Sequence, residues 1–206
     1  MDPSVLIIFI PTFFAVSATP GLCMTLAMTL GMTIGVRRSL WMMAGELVGV
    51  ALVSVSALVG VATILLARPN LFLALKYLGG AYLLYLGIQM WRSRGKMAIP
   101  TDLESQVKVT PIALATQGFV TAIANPKAWA FMISLLPPFI DASMPLRPQA
   151  TILIAVILCF ELICMLLYAA GGRTLRRLLQ QRGNVMLMNR IAGSLMMGVS
   201  LWLVLG

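Results

Sequence analysis

The chain contains no histidine, and only six acidic residues stand against fifteen basic ones. Without imidazole or clustered acids it lacks the usual transition-metal ligands, so neither a metal centre nor a metal-ion path is expected. Cys23, Cys159 and Cys164 lie in apolar segments without ligand spacing and read as small buried hydrophobes. There is no glycine-rich phosphate loop, which argues against nucleotide hydrolysis. No cofactor is expected, and the chain is not read as an enzyme. Charged residues make up only 10% of its 206 positions, while 60% are hydrophobic. That is more apolar surface than a soluble core of this size can hide, so the lipid bilayer is the expected solvent. The net charge of +9 does not point to nucleic acid, because the bases sit in short segments between apolar runs. Met1-Asp2-Pro3 lacks the basic flank of a signal peptide, so the first apolar run is expected to be a mature span.

What is present is a series of long apolar runs. A bilayer crossing takes about 20 mostly apolar residues. Six runs qualify: Val5–Ile34, Leu40–Leu66, Leu71–Trp91, Ile112–Leu136, Thr151–Gly171 and Val185–Leu205. The expected fold is an all-α membrane protein of six transmembrane helices in one membrane domain. Residues 1–91 form a first repeat, 92–110 a polar connection carrying Asp102 and Glu104, and 111–206 a second repeat. The connections after the first, third and fifth runs hold Arg37, Arg38, Arg92, Arg94, Lys96, Lys108, Arg173, Arg176, Arg177, Arg182 and Arg190. The opposite side has Arg68, Lys76 and Arg147. The excess of positive charge puts those three connections in the cytoplasm and both termini outside.

Two runs carry helix breakers. Thr19-Pro20-Gly21 interrupts the first and Asn125-Pro126-Lys127 the fourth. Proline removes a backbone donor and clashes with the preceding turn. In lipid the freed carbonyls must find partners, so a broken helix survives only where it is buried or lines a wet cavity. Two further echoes link the halves in the same order: Glu46-Leu47-Val48 with Glu161-Leu162-Ile163, and Lys76 to Ala81 with Asn189 to Ser194. Three crossings per copy force the second copy to enter from the opposite face. The expected architecture is therefore two inverted three-helix repeats, with helices one and four broken and the site between them.

Glu46 and Glu161 are acids inside apolar spans. An ionised acid at a helix centre costs about 2.5–3.5 kcal/mol on insertion scales, so each is either carried neutral or faces a wet cavity where it meets a cation. Both outcomes suit coupling to protons or to an ammonium group. The alternative for Glu46, about six residues into its run, is a shallow acid that snorkels to the interface. Half-helix N-termini after the two breaks offer unpaired N–H groups and partial positive charge to a carboxylate. Thr19, Pro20, Gly21, Asn125, Pro126, Lys127 and Gln117 are the expected substrate-binding residues. Thr25, Thr29 and Thr33, with Gly31, Gly35, Gly45 and Gly49, read as helix-packing surface; glycine faces of this kind would also admit a homodimer.

The residues resemble the LysE/RhtB superfamily of bacterial amino-acid exporters. The likeness rests on Thr19-Pro20-Gly21, Gly35-Val36-Arg37-Arg38 with Gly45, the run from Lys76 to Gly87 with Trp91-Arg92, and Gly118-Phe119 leading to Asn125-Pro126-Lys127-Ala128. Leu136-Pro137-Pro138-Phe139 and Asn189-Arg190-Ile191-Ala192-Gly193 complete it. The resemblance implies efflux of small amino acids or derivatives across the bacterial inner membrane, by proton antiport, and gives Pro20, Gly21, Asn125, Pro126 and Lys127 a functional role. Relatives continue Pro-Gly-Pro where this chain has Pro20-Gly21-Leu22, which restores a backbone donor at Leu22. Two other readings fit less well. A thiol-type electron carrier needs paired cysteines at the breaks, yet no cysteine lies near Asn125-Pro126. A non-transporting scaffold would leave Glu46, Glu161 and Lys127 freely replaceable.

Overall fold

The computed structural model describes residues 3–67, 69–92, 110–136, 139–141 and 143–205, and these are helical apart from short turns. Eight helices occur among the described residues. They are α1 (Pro3–Ala18), α2 (Leu22–Thr33), α3 (Val36–Ala67), α4 (Pro69–Arg92), α5 (Pro111–Ile123), α6 (Pro126–Leu135), α7 (Leu146–Gln180) and α8 (Arg182–Leu205). Most of the 92–110 connection, with Asp102 and Glu104, lies outside the described residues, as do Arg68, Pro137 and Pro138.

Three stretches are long and apolar enough to cross a membrane: Val36–Gly60, Leu146–Gly172 and Gly183–Trp202. Leu6–Ala18 and Leu22–Thr33 make a fourth when taken together, bent by 55°. The bend falls at Thr19-Pro20-Gly21. The second break, at Asn125, separates α5 from α6. Helix α3 begins four residues earlier than the apolar run suggests, because Gly35 turns the chain at φ +83°, a conformation L side chains rarely adopt. Gly172, at φ +38°, similarly kinks α7 near its end. Thr110 caps α5 by accepting from the Ala113 N–H at 3.2 Å, with Pro111 in the first turn, where its missing donor costs nothing.

Helix α3 lies along α5, α4 along α8, and α2 along α7, with α3 also against α7. Small residues set these approaches. A Cβ built on Gly45 would fall on the Ala115 carbonyl, one on Gly118 on the Met42 carbonyl, and one on Gly31 on the Ala169 carbonyl. At the α4–α8 crossing a Cβ on Gly87 would meet the Gly193 carbonyl at 2.8 Å, and one on Gly193 would meet the Gly87 carbonyl at 2.5 Å. Backbones this close gain dispersion and weak polar contacts, which drive association where the solvent is itself apolar.

The interior divides into two apolar clusters. One is rich in aromatics and joins Phe9, Phe13, Phe131 and Phe139 to Val53 and Leu153. The other is rich in methionine and joins Met24, Met28, Met42, Met43 and Met165 to Tyr168. Between α6 and α7, Gln149 ties the turn together: its Oε1 accepts from the Asp141 N–H at 2.8 Å and its Nε2 donates to the Asp141 carbonyl at 2.9 Å. The Ser143 hydroxyl and N–H both donate to the Asp141 carboxylate, which holds it below the usual carboxylate range.

Candidate functional site

The two breaks leave carbonyls without helical donors, and distant side chains supply the donors. Pro20 has no N–H, and α1 stops at Ala18. The Tyr168 hydroxyl of α7 donates to the Ala18 carbonyl at 2.8 Å. At the second break, the Trp129 indole N–H donates to the Ile123 carbonyl at 2.8 Å. Each bond replaces one that the helix would have made, so the breaks are built into the packing rather than merely tolerated.

Between the breaks lies a cavity of about 60 Å³. On this measure a water molecule takes roughly 10–15 Å³, so the space holds about four to six water-sized groups. Gly21, Leu22 and Cys23 line it from the first break and Asn125 and Ala128 from the second. Glu46 of α3 and Glu161 of α7 complete its polar lining, and Phe13, Phe131 and Met132 are among its apolar walls.

Glu46 is only 1% exposed. It stands about 15 Å along α3 from Val36, within the apolar stretch Val36–Gly60. Glu161 is near the middle of Leu146–Gly172. The two carboxyls are near enough for their charges to interact. The Ser17 hydroxyl donates to Glu161 Oε1 at 3.0 Å, and Asn125 Nδ2 donates to Cys23 Sγ at 3.9 Å. Glu46 Oε2 is buried and has no hydrogen-bond partner among the described residues. A buried acceptor left unmatched costs about 1–3 kcal/mol, which a ligand donor would recover. At the first break, α2 starts at Gly21, which supplies no side-chain cap to its first N–H groups.

A sequence profile of the LysE type translocator family matches residues 14–206. The chain belongs to this family. It is 29% identical over 203 residues to an uncharacterized membrane protein of Vibrio cholerae, covering 98% of each chain. Similarity extends to a homoserine/homoserine lactone efflux protein of Salmonella typhi, 29% identical over 75% of this chain and 74% of the relative. A leucine efflux protein of Salmonella choleraesuis is 32% identical over 59% of this chain and 57% of the relative. No solved structure matches.

In this LysE-type translocator the structure gathers Thr19, Gly21, Asn125, Glu46 and Glu161 around one cavity. Pro20 sits in the bend itself. The Thr19 hydroxyl is engaged with the Ala15 carbonyl at 2.8 Å and extends the last turn of α1. Gln117 does not join the group. It is exposed, because the inward face of α5 is carried by Leu114, Gly118 and Ala122, one residue round the helix. Lys127 and Pro126 begin α6, and their side chains lie outside the described residues. Cys23, Ser17 and Tyr168 were not expected at the site. Cys23 could have been found from its place in the first turn after a break; Ser17 and Tyr168 carry no local signal.

Proposed function

We propose that this translocator exports small amino acids or their derivatives across the bacterial inner membrane by exchange with protons. The observation that carries the reading is the unpartnered Glu46 Oε2 in a cavity where two half-helices begin. A zwitterion matches that lining. Its carboxylate suits the first N–H groups of α2 and α6, where the helix dipole favours negative charge. Its ammonium suits Glu46. A proton competes for the same carboxylate, so loading one ejects the other, which is the elementary step of antiport. Moving one charge inward as the neutral cargo leaves gains about 2.3 kcal/mol per 100 mV of inside-negative potential. The efflux names of the homoserine and leucine relatives agree with this cargo class.

The packing supports six crossings in two inverted repeats, with α4 the third and α5–α6 the fourth. Exchanging the halves in chain order, α1 with α5, α2 with α6, α3 with α7 and α4 with α8, maps α3 against α5 onto α7 against α1, α2 against α7 onto α6 against α3, and α3 against α4 onto α7 against α8. The pairs α3–α7 and α4–α8 map onto themselves. Alternating access then amounts to rocking one repeat against the other around the acids.

The test is counterflow from proteoliposomes loaded with mixed amino acids under an imposed pH gradient. Gradient-dependent release of one amino-acid class is expected. Glu46→Gln keeps the shape but removes the charge and the proton site, and should cut release by about tenfold or more, equivalent to ~1.4 kcal/mol. No release of any amino acid from well-folded protein would refute the reading.

A further inference from the structure

We infer that Ser17 is a positioning residue: by donating to Glu161 it holds that acid against α1 and leaves Glu46 as the acid that meets the cargo's ammonium group. The inference rests on the export reading. Ser17 is the last residue but one of α1, just before the first break, and is 4% exposed. Its hydroxyl donates to Glu161 Oε1 of α7 at 3.0 Å, and both residues line the cavity. This is not the local choice for a helical hydroxyl, which commonly donates to the carbonyl four residues back. Thr12 within α1 and Thr19 just after it both do so, at 2.8 Å. The matching carbonyl for Ser17 is that of Phe13, yet its hydroxyl crosses to α7 instead.

The backbone beside Ser17 is fixed from the same helix. Tyr168, two turns beyond Glu161, donates to the Ala18 carbonyl at 2.8 Å. Helix α7 thus grips two consecutive residues at the end of α1, one by its side chain and one by its backbone. The independent sign of a ligand is Glu46, 1% exposed in the same cavity, with Oε2 unpartnered among the described residues. The two acids therefore differ: Glu161 has a donor from the protein on Oε1, and Glu46 keeps a buried acceptor for what enters. Without the Ser17 hydroxyl the Glu161 side chain loses this tether, and cargo must order it again on binding. Ordering one long side chain costs about what a fivefold change in affinity represents.

Substitution separates hydrogen bonding from packing. Ser17→Ala removes the donor; Ser17→Thr keeps it. In proteoliposome counterflow, Ser17→Ala should raise KM for the exported amino acid about fivefold with Vmax little changed, and Ser17→Thr should restore most of that loss. In a Glu161→Ala background there is no carboxyl to hold, so adding Ser17→Ala should change KM by less than about twofold. A KM unchanged or lowered in Ser17→Ala, equally raised in Ser17→Thr, or raised as much in the Glu161→Ala background overturns the inference. A second arm needs no transport. Purified protein is treated with dicyclohexylcarbodiimide, whose carbon takes the carboxyl oxygen while the proton passes to nitrogen, and the adduct on Glu161 is followed by peptide mass spectrometry. Ser17→Ala frees the carboxyl, so Glu161 should react at least about threefold faster than in the wild type, and Ser17→Thr should react at close to the wild-type rate. An unchanged rate in Ser17→Ala overturns the inference whatever the transport result. If wild-type protein moves no amino acid but the labelling responds, the export reading fails and the hold of Ser17 on Glu161 stands.

Discussion

Replacing Tyr168 by phenylalanine isolates the bond that lets the first span break. The ring stays and only the hydroxyl goes. The residue is 5% exposed, and its hydroxyl donates to the Ala18 carbonyl at 2.8 Å. In an unbroken helix that carbonyl would accept from the N–H four residues on, at Leu22. Here Leu22 instead begins α2 across a 55° bend, so no helical donor can replace the lost one. Interhelical hydrogen bonds in membrane proteins average about 0.6 kcal/mol, with a maximum near 1.7, because an unfolded helix usually finds other partners. The Ala18 carbonyl lacks such a substitute, so the upper figure applies. At roughly 2–4 °C per kcal/mol for a domain of this size, the melting temperature should fall by about 3–7 °C. Thermal unfolding of purified protein in detergent, read by intrinsic fluorescence, measures it. Tyr168→Leu should cost more, since it also removes ring packing, and the difference between the variants gives the share of the hydroxyl. A Tyr168→Phe protein melting within about 1 °C of wild type would refute the claim that this bond sustains the break.

Trp129→Phe applies the same logic to the second break and should destabilise by about 0.6–1.7 kcal/mol in the same assay, through the lost donor to the Ile123 carbonyl. Gly45→Ala sets a methyl against the backbone of Ala115 and should cost at least ~1–3 kcal/mol, whereas Gly198→Ala, with nothing within 4 Å, should be neutral or slightly stabilising. Thermal melting of the pair decides it; equal effects would contradict the close α3–α5 crossing. Phe131→Ala enlarges the cavity and should let larger side chains compete, so leucine should inhibit counterflow of a smaller amino acid at least about fivefold better than in wild type. An unchanged competition profile would mean that this wall does not limit the cargo.

Both breaks were legible because proline acts locally: Pro20 and Pro126 cannot donate, whatever surrounds them. The two acids were legible for a similar reason, since a carboxyl within an apolar run is conspicuous without knowledge of its neighbours. The place of Glu46 along α3 was not, because Gly35 rather than the apolar run sets where that helix starts. Gln117 shows the limit of reading polarity alone: one residue moves a side chain about 100° round a helix, and Gly118, not Gln117, faces inward. Ser17 and Glu161 meet across 144 positions, and Tyr168 reaches Ala18 across 150. Periodicity assigns a residue to a face; it does not say which distant element that face will meet.

The Gly87–Gly193 crossing has a consequence for how this chain can change over generations. A tight contact between side chains can drift, since enlarging one is answered by shrinking the other. Here each glycine is opposed by the other's carbonyl, so neither partner has anything left to remove. No second substitution at the pair can rescue the first, and the way out is to move an entire helix. Lineages that pass through a larger residue at either position leave no path back through compensation, which makes this pair a fixed point about which the rest of the sequence is free to diverge.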